Sequence, residues 1–160
     1  MMGNKIWEIK RGKLKETNLF LYSDFVSKKF NINFDNDFNK IWRWSVENPI
    51  NFWKSIWEFT NVQGNLGSIF LQKSKIFYKN RFFPDSKLNY AQNLLTKNDT
   101  KPAIIFKSEN GFRVELSWKN LNLKVAQIAS WMKDCKIEKG DCVAAYLPNI
   151  PETVIAYLSS

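Results

Sequence analysis

The feature that most constrains the fold is a regular pattern that begins at Pro102, after about a hundred residues of irregular sequence. Residues 102–107 form a short apolar run, and Asn110-Gly111 is typical of a tight hairpin turn. Residues 112–116 beyond the turn then alternate between apolar and charged side chains. This pattern predicts two antiparallel strands joined at Asn110-Gly111.

A helix is predicted directly after the second strand. Ser117 is a typical N-cap residue, and Leu116 and Leu121 have the spacing of a hydrophobic staple around it. The apolar stripe predicted for this helix consists of Leu121, Val125, Ile128, Ala129 and Met132. The helix is expected to end before Gly140.

A buried strand and a further helix are predicted after Gly140. Val143 to Leu147 is wholly apolar, as in strands that are covered on both faces of a parallel sheet. Asn149 and Pro151 are typical of a helix start, and Glu152 suits the first turn. The order ββαβα predicts an α/β fold, and the helical pattern runs on to Ser160. We therefore expect the chain to be the opening part of a longer α/β domain.

The first hundred residues are predicted to contain small helices packed through aromatic side chains. The predicted starts are Thr17 or Asn18, then Asp35 or Asp37, then Asn48 as N-cap with Pro49 at the first helical position. The first helix is expected to run to about Phe30. The predicted packing faces are Leu21, Phe25 and Val26, then Phe38, Ile41 and Trp42, then Trp53, Ile56 and Trp57.

Five of the seven tryptophans precede residue 60, and they favour packing or docking over a cage for a cationic ligand. They are Trp7, Trp42, Trp44, Trp53 and Trp57. Residues 61–95 are predicted to be mostly loop, with one strand near residues 68–72. Gly64 and Gly67 in this loop match neither GxGxxG nor the Walker A pattern, so no phosphate loop is predicted.

The composition excludes several kinds of site. The chain has no histidine, which rules out His-based triads and His-ligated zinc. Cys135 and Cys142 lack the paired spacing of a zinc site and are expected to be reduced thiols. No residue is predicted to be catalytic, to bind a cofactor or to bind a metal.

The net charge of +9 raises the question of an anionic partner. A nucleic-acid partner is disfavoured, because the lysines are spread from Lys5 to Lys139 and are not grouped into one stripe. The start of the chain has no apolar stretch typical of a signal peptide, and the longest apolar run is short. We expect a cytoplasmic protein with no membrane partner.

Three stretches carry a resemblance to a known family. Residues 140–152, GDCVAAYLPNIPE, resemble the first parallel-strand unit of the acyl-CoA synthetases that activate acids as adenylates, with Cys142 where an Arg is usual. Residues 42–49, WRWSVENP, are followed by Phe52-Trp53, and Phe82-Phe83-Pro84 precedes residues 88–95, LNYAQNLL. Together the three stretches resemble the acetoacetyl-CoA synthetase branch, and each is also explained by packing alone.

The resemblance implies the opening ββαβα units of a larger adenylate-forming domain, preceded by a helical, aromatic-rich segment. Residues 1–98 would form that segment, and residues 99–160 would begin the AMP-binding domain. The parent would join acetoacetate to CoA through an acyl-adenylate with ATP and Mg²⁺, and this chain alone would be inactive and bind none of them tightly. Its partners would be the acid and the remainder of the synthetase. The alternatives are an acetyl- or other short-chain acyl-CoA synthetase, a basic nucleic-acid-binding module, and a docking stub without activity.

Overall fold

A computed structural model describes residues 11–160 and separates the chain into two compact units, one up to Lys87 and one from Leu88. Trp7 therefore lies outside the described residues. Within residues 11–160, no helix combines the length and the apolar character needed to span a bilayer.

The first unit is built mainly from three helices. They are α1 (Asn18–Phe30), α2 (Phe38–Glu47) and α3 (Pro49–Phe59), preceded by a 3-10 turn at Arg11–Glu16. Four two-residue strands follow, β1 (Gly64–Asn65), β2 (Leu71–Gln72), β3 (Arg81–Phe82) and β4 (Lys87–Leu88). A 3-10 turn at Phe77–Lys79 lies between β2 and β3. Strand β2 pairs antiparallel with β3. The single strand predicted near residues 68–72 is thus the first strand of a short hairpin.

The helix starts agree with the predictions, but one cap works differently. The Thr17 hydroxyl accepts a hydrogen bond from the Phe20 amide, and the Asp37 carboxylate accepts one from the Asn39 amide. Asn48 stands before Pro49 as predicted but makes no side-chain bond to α3. Its Nδ2 donates to the Trp44 carbonyl instead, at 3.3 Å. Because Asn48 alone separates the two helices, it ends α2 while it begins α3.

The core of the first unit is aromatic, but the predicted packing faces are only partly correct. Buried core residues are Tyr22, Val26, Phe34, Ile41 and Trp44. Leu21, Phe38 and Trp42 were predicted to pack inward, yet each is about half exposed. Residues 19–22 are all apolar, so the helical period alone does not select a face of α1. Packing against α3 selects the face that carries Tyr22.

The second unit contains the predicted hairpin and helix. Its elements are α4 (Tyr90–Leu94), β5 (Pro102–Lys107), β6 (Arg113–Ser117), α5 (Trp118–Asp134) and α6 (Pro151–Ser159). Strands β5 and β6 pair antiparallel around Asn110-Gly111, where Gly111 has a φ of 85°. Helix α4 lies in the stretch that was predicted to be loop.

Helices α5 and α6 pack against the hairpin to form the second core. The Ser117 hydroxyl accepts a hydrogen bond from the Asn120 amide at 3.2 Å, as predicted for an N-cap. The staple residues Leu116 and Leu121 are both buried. The cluster of buried residues is Leu116, Leu121, Val125, Ile155 and Leu158.

The strand predicted at Val143–Leu147 is not formed. The segment belongs to no strand among the described residues, and Val143, Tyr146 and Leu147 are exposed. A strand of this kind is stabilised by neighbours on both sides, and the described residues pair no other strand with it. The apolar sequence alone therefore does not hold the segment in a sheet.

The start of α6 also differs in detail from the prediction. Ile150, and not Asn149, is the N-cap residue, and it makes no side-chain capping bond. Pro151 and Glu152 do occupy the first turn, as predicted. The turn before α6 is closed by the Thr153 hydroxyl, which donates to the Pro148 carbonyl at 2.5 Å.

Candidate functional site

The second unit contains a cleft of about 900 Å³. It is bounded by the start of α4, the last turn of α5, the segment Ile137–Val143 and the end of α6. Tyr90 and Tyr157 meet edge to face in its wall, with ring centroids 6.0 Å apart. The cleft thus has an aromatic wall and an open side.

The polar groups at the start of α4 are engaged in the local fold. The Asn89 side-chain oxygen accepts a hydrogen bond from the Gln92 amide at 2.7 Å and caps the helix. This cap explains why the Leu88-Asn89-Tyr90 part of the resemblance motif forms a short helix. Asn89 acts as scaffold in this structure.

The segment Ile137–Val143 is a self-contained turn along the cleft. The Asp141 carboxylate accepts a hydrogen bond from the Glu138 amide at 2.7 Å, and the Asp141 amide donates to the Glu138 carbonyl at 3.1 Å. Gly140 lies within this turn with a φ of 111°, a conformation that favours glycine. The Asp141 carboxylate therefore shapes the turn.

The cleft does not have the donor set of a metal centre. Among residues 11–160, no group of three His, Cys, Asp or Glu side chains is placed to hold a metal ion. Lys133 and Lys139 line the cleft together with Glu138 and Asp141, so its charges are mixed. We assign no catalytic or ligand-binding residue in it.

The loop that contains Gly64 and Gly67 in the first unit binds the carboxylate of Asp85. The Asp85 carboxylate accepts hydrogen bonds from the Ser68 amide at 2.8 Å, the Ser68 hydroxyl at 2.9 Å and the Ile69 amide at 3.1 Å. These bonds, with the Ser68 amide foremost, hold the pKa of Asp85 below its ordinary value of 3.8. The backbone amides of Ser68 and Ile69 are thus occupied by the protein's own carboxylate.

Three of the tryptophans, Trp44, Trp53 and Trp57, pack against other rings. Trp44 is buried in the core of the first unit. Trp53 lies 5.8 Å from Phe82, and Trp57 lies 5.8 Å from Phe83. The resemblance motifs around residues 42–57 and 82–84 are therefore joined by aromatic contacts, which is a structural role.

The buried Tyr22 is also structural. Its hydroxyl lies 2.7 Å from the Ser55 hydroxyl, which donates to the Phe52 carbonyl. Burial raises the pKa of Tyr22 above 10.0, and the bond to Ser55 opposes that shift. The phenol therefore stays protonated at neutral pH and links α1 to α3.

The turn after residues 143–147 does not join the cleft. Asn149, which sequence analysis placed at the start of a helix, is exposed. It does not line the 900 Å³ cleft. Sequence reasoning missed the cleft itself, because its boundaries come from α4, which was predicted to be loop, and from the packing of α5 with α6.

The chain is similar to AMP-binding enzymes, among them acetoacetyl-CoA synthetases and an acetyl-coenzyme A synthetase. The AMP-binding enzyme family matches residues 92–160. The acetoacetyl-coenzyme A synthetase of Rhizobium meliloti (strain 1021) is 31% identical over 155 residues, which cover 97% of this chain and 24% of that protein. The acetoacetyl-CoA synthetase of Xenopus tropicalis is 33% identical over 150 residues, covering 91% of this chain and 22% of that protein.

The fold has a matching solved structure. The acetoacetyl-CoA synthetase from Streptomyces lividans superposes with a TM-score of 0.82 at 25% identity, over 96% of this chain and 24% of that chain. The chain thus spans about a quarter of the length of the proteins that it resembles.

Proposed function

The chain is related to the acetoacetyl-CoA synthetases, which are AMP-binding enzymes, and from this premise we propose that it acts as part of an ATP-dependent acid–CoA ligase. The observation that carries the proposal is the structural match over 96% of the chain at a TM-score of 0.82. Acetoacetate is the acid that we propose, since the similar proteins bear that name.

The proposed reaction has two steps. The acetoacetate carboxylate attacks the α-phosphate of ATP, forming an acyl-adenylate and releasing diphosphate. The CoA thiol then attacks the acyl carbonyl and displaces AMP, giving acetoacetyl-CoA. The first step needs cationic stabilisation of the phosphates, and Mg²⁺ is the ion that we propose for it.

The described residues contribute scaffold to this reaction. The Asp85 carboxylate occupies the amides of Ser68 and Ile69, and the cleft of the second unit has neither a metal-ligand cluster nor a histidine. We propose that ATP, Mg²⁺ and CoA are held by segments that the longer relatives have in addition. On this view the 160-residue chain binds none of these molecules tightly.

We also propose that the chain contains the junction between two parts of the enzyme. Residues 1–98 form the helical segment, and residues 99–160 begin the AMP-binding domain. The family match starts at residue 92 and the second compact unit at Leu88, and both observations support a division in this region.

A chimera tests the proposed function directly. This chain replaces the matching segment of the Streptomyces lividans enzyme, and acetoacetate-dependent exchange of diphosphate into ATP is measured, with acetate as the competing acid. The expected result is exchange that prefers acetoacetate. Chimeric protein that folds but shows no exchange would contradict the proposal, and a preference for acetate would favour an acetyl-CoA synthetase.

Two controls accompany the chimera. The 160-residue chain alone is expected to show no exchange, and exchange by it would refute the scaffold role. A chimera with Leu121→Asp, which places a charge in the second core, is expected to lose stability and exchange together. A chimera with Leu123→Asp, at an exposed position on the same helix, is expected to retain both.

A further inference from the structure

The hairpin of β2 and β3 ends in an unusual surface, which we call the basic tip and define as residues 73–81. Strand β2 pairs with β3 in the register Leu71 to Phe82 and Gln72 to Arg81, so the tip consists of the connection between the strands, residues 73–80, together with Arg81 at the start of β3. Phe77 is 88% exposed and Tyr78 is 80% exposed, while Ile76 beside them is 43% exposed. Three consecutive apolar side chains therefore extend into solvent.

The charge around the tip has one sign. Lys73, Lys75, Lys79 and Arg81 are all exposed, and residues 59–84 contain no Asp or Glu. None of these four cations belongs to an ion pair among the described residues. The tip is therefore complementary to an anionic surface, and a second copy of its own face would repel it.

The tip is an ordered structure. The Ser74 amide donates to the Asn80 side-chain oxygen at 2.8 Å, and the Ile76 amide donates to the Ser74 hydroxyl at 3.2 Å. The Lys79 amide donates to the Ile76 carbonyl at 2.9 Å, which closes the 3-10 turn at Phe77–Lys79. Since these backbone groups are already bonded within the tip, binding does not require the loop to order itself.

We propose that the basic tip docks on an anionic lipid surface, with Phe77 and Tyr78 at the level of the headgroups and the cations on the lipid phosphates. Aromatic rings favour the bilayer interface, and lysine stems reach from apolar contacts to charged groups. A nucleic acid fits less well, because Ile76 offers no stacking face and a projecting turn is not a groove along a phosphate backbone. Contact of this kind needs no membrane-spanning segment. The expectation of no membrane partner rested on the lack of long apolar stretches, so it does not exclude such contact.

Vesicle binding by the full chain tests the proposal. Vesicles of phosphatidylcholine mixed with phosphatidylglycerol are compared with vesicles of phosphatidylcholine alone, and binding is measured by co-sedimentation. We expect binding to the anionic vesicles only. The Lys75→Gln/Lys79→Gln variant is expected to bind about thirtyfold more weakly, given the usual contribution of each cation near such a surface.

A second pair of variants distinguishes vesicle binding by the tip from nonspecific binding by exposed aromatic side chains. Phe77→Ser/Tyr78→Ser is expected to lose at least about tenfold in vesicle affinity, because both rings leave the interface. Phe112→Ser is the matched control, since Phe112 is 59% exposed on the other hairpin, where Glu109 and Glu115 accompany the cations. This variant is expected to bind like the parent chain.

Three outcomes would contradict docking of the basic tip on an anionic lipid surface. Equal binding by the parent chain and Phe77→Ser/Tyr78→Ser, with the same circular dichroism spectrum, would refute the docking role of the tip. Absence of binding to anionic vesicles would do the same. Tighter tip-dependent binding to polyuridylate than to the vesicles would assign the surface to nucleic acid instead.

Discussion

Asp85 joins two segments of the first unit that are seventeen residues apart in sequence. Its carboxylate accepts from two backbone amides and one hydroxyl, all on Ser68 and Ile69. Gly67 makes room for it, because a Cβ at that position would lie 2.6 Å from Cγ of Asp85 and the φ of Gly67 is +79°. The bound carboxylate of Asp85 thus requires a glycine at position 67.

The first prediction concerns this carboxylate. Asp85→Asn is expected to lower the melting temperature at neutral pH, because hydrogen bonds to a charged acceptor are replaced by weaker ones. Since the pKa of Asp85 is lowered on folding, the charge of Asp85 stabilises the fold at pH values above 3.8, its ordinary pKa. That contribution is lost as the pH falls from 3.8 through the lower folded pKa.

Thermal melts of parent and Asp85→Asn at neutral pH and at about pH 3 measure the effect. The difference between the two proteins is expected to shrink in acid. Glu109→Gln is the control, because it removes one exposed carboxylate for which the structure gives no hydrogen bond. A difference that is independent of pH would contradict the assigned role of the charge.

At the scale of elements, the two helices of the second unit begin in different ways. Helix α5 has a side-chain cap from Ser117 and a hydrophobic staple of Leu116 and Leu121. Helix α6 begins after Ile150 without a side-chain cap, and Pro151 and Glu152 are the favourable residues of its first turn. The same kind of substitution should therefore have different effects at the two starts.

The second prediction uses this difference. Ser117→Ala is expected to lower the free energy of unfolding by about 0.5–2 kcal/mol, since the Asn120 amide loses its acceptor. Asn149→Ala is expected to leave it nearly unchanged, since Asn149 is exposed and is not the cap. Urea unfolding of the two variants measures both values. A larger loss for Asn149→Ala than for Ser117→Ala would show that the cap assignments are reversed.

Elements specified by local sequence were predictable here, and those that depend on distant partners were not. The hairpin, α5 and the start of α1 follow from Asn110-Gly111, Ser117 and Thr17, whose effects act within a few residues. The inward faces of α1 and α2 depend on α3, and a strand at Val143–Leu147 depends on neighbours. That no residue of this chain is catalytic stays a prediction, which rests on the missing histidine and phosphate loop.

At the scale of the whole molecule, apolar surface is unevenly distributed. Tyr146 is fully exposed, and Val143 and Leu147 are each 46% exposed in the same unpaired segment. Unpaired backbone and apolar side chains together promote pairing between chains. The net charge of +9 opposes such association but does not cover this segment.

The third prediction is that the 160-residue chain self-associates through Val143–Leu147 as its concentration rises. Tyr146→Ser/Leu147→Ser is expected to shift the population towards monomer, because both side chains lose apolar area. Sedimentation velocity over a concentration series measures the shift. Leu123→Ser, at a position 57% exposed on α5, is the matched control and should leave association unchanged. A parent chain that stays monomeric throughout the series would contradict the prediction.

The aromatic core of the first unit has an optical consequence. Among the described residues, the close ring pairs lie in the first unit, except for Tyr90 with Tyr157. When aromatic rings are fixed about 5–6 Å apart at steep angles, their electronic transitions couple and give a circular dichroism signal. This signal disappears when the rings rotate independently. Near-ultraviolet circular dichroism therefore reports mainly on the first unit. The exposed thiols of Cys135 and Cys142 allow a fluorophore to be attached to the second, so each unit can be followed at its own wavelength.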